Sequence, residues 1–166
     1  MNPPIERSYW VEPGRLLAGV YPGDLDPTIA RDKLKRLLEA SVTYFLDLTE
    51  EGELDPYDAL LPQDGRVIHQ RMPIRDVSVP TPEHLRAILD TLDRALNAGH
   101  IVYVHCWGGV GRTGVVIGCH LVGHGFDGDA ALKEIVRLRR GMANETHVSP
   151  ETAAQWELVR GWVTCG

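Results

Sequence analysis

The chain has 166 residues, of which 43% are hydrophobic and 24% charged, and a formal net charge of -6. That length accommodates one ordinary α/β domain with a real core, and the composition is that of a folded protein rather than a disordered segment. The acidic balance excludes broad electrostatic binding to nucleic acid or to an anionic membrane, so any phosphate site must be a local one.

The first residues, "MNPPIERSYW", lack the apolar core of a secretory signal. "SYWVEPGRLLAGVYPG" places a Pro-Gly turn between two short apolar runs, the pattern of a hairpin. "RDKLKRLLEAS" spaces Leu34, Leu37 and Leu38 as one helix face, and "VTYFLDLT" follows as a β-rich strand. The acidic loop "EEGELDPYDALLPQDG" leads to a second strand, "RVIHQRMPI". A long helix is expected over "TPEHLRAILDTLDRALNAG", started by Thr81 and Pro82, with Leu85, Ile88, Leu89, Leu92 and Leu96 on one face and Gly99 at its end. "HIVYVHC" is a short apolar strand, "RTGVVIGCHLVGHG" a helix apolar nearly all round, and "DAALKEIVRLRRG" an amphipathic helix. A last helix, "SPETAAQWELVRGWV", is expected to start at Ser149 and Pro150, with Trp156, Val159 and Val163 in the core. Strands alternating with helices imply an α/β fold whose mainly parallel sheet is covered on both faces, with ligands beyond the carboxyl ends of the strands. Nothing repeats and no linker divides the chain, so residues 1–166 are expected to form one domain.

The longest nearly apolar run, "GVVIGCHLVG", is half the length of a membrane span. A cytoplasmic protein without a membrane or nucleic-acid partner is therefore expected, and a monomer. Cys106, Cys119 and Cys165 form no C-x-x-C pair, which suggests neither a disulfide framework nor a metal cluster; no cofactor is expected.

The stretch "VHCWGGVGRTG" carries the chemistry. If the strand ends near Cys106 and a helix starts near Arg112, the intervening "WGGVG" must turn sharply, which glycine permits. Successive N–H groups then point inward beside the positive end of a helix and make an anion cradle. Arg112 adds a charged fork for phosphate oxygens, and a thiol in the same positive field is favoured as the nucleophilic thiolate. A nucleotide-binding P-loop would need glycine at the position of Cys106 and lysine at that of Arg112. The plain alternative is a glycine-rich turn around a buried, inert cysteine.

"HCWGGVGRTG" resembles the signature of the cysteine-dependent protein tyrosine phosphatase superfamily: His-Cys, five residues, Arg, then Ser or Thr. "SYWVEPGRLLAG", "LDLTEEGE", "MPIRDVSVPTPEHL" and "ALKEIVRLRRG" resemble, in the same order, segments of the small single-domain atypical dual-specificity phosphatases. That resemblance implies Cys106 as nucleophile of a cysteinyl-phosphate intermediate and Arg112 as phosphate clamp, with the backbone of Trp107, Gly108, Gly109, Val110, Gly111 and Arg112 as cradle. Thr113 would support the departing sulfur, and His105 would brace the loop, its alternative being a buried strand-end histidine with no kinetic role. Asp76 would be the general acid and Gln155 would position water, its alternative being an exposed helix residue.

Asp47 reads as a structural hydrogen-bonding group, and Glu50, Glu51 and Glu53 as a solvated acidic loop at the rim. Arg137, Arg139 and Arg140 read either as a basic helix face or as contacts for a second acidic group of the substrate. The chain has no counterpart of the Lys-Asn-Arg-Tyr segment of classical tyrosine phosphatases, and no lysine among the five loop residues as in phosphoinositide phosphatases. A phosphorylated protein, at phosphotyrosine and also at phosphoserine or phosphothreonine, is the first expectation. A small phosphomonoester, an inositol phosphate, a silent phosphoprotein-binding module and redox chemistry at Cys106 are the alternatives.

Overall fold

The computed structural model describes residues 1–164; Cys165 lies outside them. Five strands form one sheet in the order β1-β2-β5-β3-β4: β1 Ser8–Glu12, β2 Leu16–Gly19, β3 Tyr44–Asp47, β4 Ile68–Arg71 and β5 Val102–His105. The β1–β2 pair is the expected hairpin, antiparallel, with its register shifting between Trp10 and Glu12; every other pairing is parallel. Five α-helices, α1 Pro27–Glu39, α2 Pro82–Asn97, α3 Gly111–Gly123, α4 Gly128–Leu138 and α5 Ala153–Arg160, and one 3-10 turn over Asp58–Leu60 complete the described elements.

Alternation along the strands sorts the core into two layers. Leu16, Ala18, Leu46, Val102 and Val104 face α2, α3, α4 and α5, whereas Leu17, Phe45 and Tyr103 face α1 and the packed loop around Tyr57. The sheet is thus covered on both faces, as the alternation of elements requires. α3 lies in the thicker layer, where Val115, Val116, Ile117 and Cys119 are wholly buried, consistent with its all-round apolar sequence.

Two helix starts differ from expectation for local reasons. α1 begins at Pro27, because the Asp26 side chain accepts from the Thr28 N–H and proline suits the first turn. α5 begins at Ala153 rather than at Ser149 and Pro150: Thr152 and Gln155 form a reciprocal capping box, and the Ser149–Pro150 bond is cis. Val163 lies beyond α5 and is 74% exposed, so it is not a core residue; Val159 is buried and Trp156 half-buried.

Candidate active site

β5 delivers His105 and Cys106 to the carboxyl edge of the sheet, and α3 leaves that edge with Arg112 and Thr113 in its first turn. The chain between them is tightly fixed. Gly109 has φ of 71°, and a Cβ there would collide with the backbone of Gly19 at the end of β2. The Tyr21 N–H donates to the Trp107 carbonyl at 2.9 Å, which ties the same loop to the hairpin. Behind the loop, a Cβ on Gly114 would strike Ser149 and Pro150, whose segment is anchored by the Ser149 hydroxyl donating to the Val110 carbonyl at 2.6 Å. Val110 caps α3 without any side-chain hydrogen bond, so the N–H groups of the first turn are left facing the loop's interior.

Cys106 lies at the floor, 3% exposed, and the Thr113 hydroxyl donates to its Sγ at 3.1 Å. The guanidinium of Arg112 forms the wall. Its terminal nitrogens donate to both carboxylate oxygens of Glu53 at 2.8 Å each, and Nη1 also reaches the Ile74 carbonyl at 3.0 Å. Its Nε is buried without a hydrogen-bond partner among the described residues. That donor lies beside Cys106 in the same cleft and is open to a water or ligand oxygen.

Glu53 is therefore no solvated rim residue, in contrast to the reading of the acidic loop. The hydrogen bonds from Arg112 hold its carboxyl below the usual glutamate value, and it fixes the plane of the fork. Glu50 and Glu51 remain exposed.

Asp76 sits in the β4–α2 loop with Oδ1 3.3 Å from Arg112 Nη2, and the same oxygen accepts from the Val77 N–H at 2.9 Å. Val77 has φ of 58°, a left-handed conformation that costs a β-branched residue about 1–2 kcal/mol. Asp76, Cys106, Trp107, Arg112, His147 and Glu151 line one cleft of about 550 Å³. Trp107 is 60% exposed and also walls a neighbouring cleft of about 670 Å³ with Arg7, Lys33 and Asp55.

Beneath the loop, His105 is wholly buried. Its Nε2 lies 2.6 Å from the Tyr57 hydroxyl and its Nδ1 3.3 Å from the Cys106 carbonyl. Burial pushes its pKa down to about 4, more than nearby Asp47 raises it, so the ring is neutral at pH 7. Burial likewise raises Tyr57 far above its ordinary value, so the phenol keeps its proton and donates to Nε2, leaving the Nδ1 hydrogen for the Cys106 carbonyl. Asp47 has the structural role expected of it. It is fully buried, accepting from the Thr49 backbone and hydroxyl on one oxygen and lying 2.9 Å from His69 on the other. Burial raises its pKa, but those hydrogen bonds and His105 outweigh it and hold the carboxyl well below the usual aspartate value.

Gln155 is fully buried, not an exposed helix residue. Its Oε1 accepts from the Glu151 and Thr152 N–H groups, and its Nε2 donates to the Ser78 carbonyl at 3.2 Å, joining α5 to the loop of Asp76. Only the second Nε2 hydrogen is left over for another partner. Arg139 is not part of a basic face: it is buried and donates to the carbonyls of Asn144 and His147, which shapes the segment lining the cleft. Arg137 pairs with Glu134 on the surface. Tyr57 and Glu53 are the partners that no local sequence signal announced.

The family model described as "PTP-SAK: Swiss Army Knife protein, DSP-PTPase phosphatase domain" matches residues 5–158. Tyrosine-protein phosphatase CDC14 of Candida albicans is 30% identical over 112 residues, 67% of this chain and 21% of that protein. The putative tyrosine phosphatase 067L of invertebrate iridescent virus 3 is 35% identical over 97 residues, 54% of this chain and 38% of that protein. The chain thus spans well under half the length of these curated relatives. Among solved structures, Tk-PTP in the active form superposes with a TM-score of 0.75 at 25% identity, covering 93% of this chain and 94% of that one. With its loop between β5 and α3 and its mainly parallel sheet, the chain belongs to the dual-specificity-type phosphatase domains of the protein tyrosine phosphatase superfamily, a family of phosphoric monoester hydrolases.

Proposed function

We propose that the chain hydrolyses phosphotyrosine in proteins, and phosphoserine or phosphothreonine as well, through a phosphocysteine intermediate. The observation that carries this reading is the convergence of three groups on one pocket: the Cys106 sulfur, the open Nε of Arg112 and the uncapped first turn of α3. In the first step the Cys106 thiolate attacks phosphorus and the bond to the leaving oxygen breaks. Asp76 gives that oxygen its proton. Backbone N–H groups from Trp107 to Arg112, together with the Arg112 Nε, hold the phosphoryl oxygens as charge builds on them. In the second step water attacks phosphorus, the S–P bond breaks, and Asp76 takes the water's proton. Thr113 steadies the sulfur as it leaves as thiolate, and the remaining Nε2 hydrogen of Gln155 is available to the attacking water.

His105 acts as a positioning residue, since its neutral ring links the Cys106 carbonyl to Tyr57 and touches no substrate. The exposed ring of Trp107 and the absence of lysine in the five-residue loop favour a protein segment over a polyanionic small molecule. PTPMT1, solved in complex with PI(5)P, shares the fold with a TM-score of 0.69, so an inositol phosphate belongs among the substrates compared. In a panel of phosphopeptides, nucleotides and inositol phosphates, phosphotyrosine peptides are expected to turn over fastest. Turnover should persist in chelator and cease with vanadate. Preferred hydrolysis of an inositol phosphate would overturn the substrate assignment, and activity surviving in Cys106→Ser would overturn the mechanism.

A further inference from the structure

The opposite end of α3 carries a second cluster. His120 and His124 stand one turn apart at the end of the helix, and Asp93 faces them from α2. The hydrogen bonds around the imidazoles fix which nitrogens are bare. His120 Nε2 lies 3.1 Å from Glu12 Oε1, and the other oxygen of Glu12 is held by Arg15 at 2.7 Å. His124 Nδ1 lies 2.8 Å from the His120 carbonyl. Both of those nitrogens face acceptors and must carry hydrogen, which leaves lone pairs on His120 Nδ1 and His124 Nε2. These two atoms lie 3.7 and 3.8 Å from the same oxygen, Oδ1 of Asp93. With both rings neutral, three lone-pair atoms converge on one point, an arrangement that a shared cation relieves, as a proton on either ring also would.

We propose that Asp93, His120 and His124 form a binding site for a divalent cation of the zinc class. The three ligand atoms all lie within 4.8 Å of one another. Metal–ligand bonds of about 2.0–2.2 Å in a tetrahedral site put ligand atoms roughly 3.3–3.6 Å apart, so the two contacts to Asp93 are nearly at that spacing and the widest pair must close by at most about 1.5 Å. The side chains of Asp93 and His124 are 45% and 49% exposed and free to make it, while His120, at 2%, is the fixed member. Two imidazoles and one carboxylate suit zinc, cobalt or nickel rather than magnesium or calcium. Glu12 supplies the outer carboxylate that orients a ligating histidine. The helix end contributes partial negative charge, and an adjoining cavity of about 300 Å³, lined in part by Asp90 and Trp162, leaves the fourth position open to water. The bound ion would pin α2 to α3 and, through Glu12, to β1.

The proposal is independent of the phosphatase reading. Its test uses the full chain carrying Cys106→Ser, which keeps thiophilic metal off the cradle, stripped with chelator and titrated with Zn²⁺ by calorimetry. Uptake of one equivalent, a raised Tm, and a visible Co²⁺ spectrum of low-symmetry coordination are expected, with no uptake of Mg²⁺. His124→Ala and Asp93→Asn alter exposed side chains, so the fold is retained, and each should weaken zinc by more than roughly 100-fold. Glu12→Gln should weaken it by about 10- to 100-fold at unchanged stoichiometry. No zinc uptake by the parent chain, or uptake unaltered by His124→Ala and Asp93→Asn, would overturn the site.

Discussion

α3 presents opposite chemistries at its two ends. At the N-terminal end the chain gathers donors: uncapped N–H groups, the Arg112 guanidinium and the Thr113 hydroxyl, all around one sulfur. At the C-terminal end it gathers acceptors: two imidazole nitrogens and a carboxylate. Each collection matches the sign of the partial charge at its helix end, so one dipole suits the anion proposed at one end and the cation proposed at the other. The two ends differ in how they are fixed. The loop is clamped by the backbone of Gly19 and by the hydroxyl of the buried Ser149, whereas the histidine cluster rests on side chains of which two are half in water.

That contrast can be broken most severely at the sulfur. Cys106→Ser should lower turnover by about 10⁴-fold or more while phosphate or vanadate binding persists, read by steady-state kinetics and calorimetry on the same preparation. Asp76→Asn should cost about 10² to 10⁴-fold in turnover on a substrate with a poor leaving group, and much less on one whose leaving oxygen needs no proton. Equal losses on both substrates would show that Asp76 does not deliver a proton.

Glu53→Gln removes the charge that orients the Arg112 fork. A misplaced clamp is expected to cost about 10²-fold in turnover, together with about 1.5–3 kcal/mol of stability from the lost charged hydrogen bonds. Denaturant melts and kinetics on one sample separate the two effects. The layer under the cradle is tested by pH. His105 titrates at about 4 in the folded chain and near 6.5 when unfolded, so over that window the unfolded chain binds a proton that the native chain refuses. Its contribution is complete above about pH 6.5 and is lost as the pH falls to about 4, a change on the order of 3 kcal/mol. The slope of stability against pH should flatten in His105→Gln.

The spacing from Cys106 to Arg112 was readable because a phosphate cradle must be built from consecutive residues, which leaves a contiguous trace. Strand and helix order was readable from apolar periodicity for the same reason. Glu53 and Tyr57 were not, since they come from an aperiodic loop and find Arg112 and His105 only when the sheet brings distant segments together. The start of α5 was written in the chain as Thr152 followed three residues later by Gln155, a stronger signal than Ser149 and Pro150. Burial of Gln155 was not legible, because nothing local says that the loop of Ser78 folds back onto it.

The fit of Gly109 against Gly19 has a practical corollary for anyone cutting or fusing this polypeptide. The N-terminal hairpin helps to mould the loop between Cys106 and Arg112, although it supplies none of the side chains proposed to react. A deletion through Tyr21 would leave the signature residues intact in the sequence and still produce a dead protein, one that sequence scanning for Cys106 and Arg112 would score as whole.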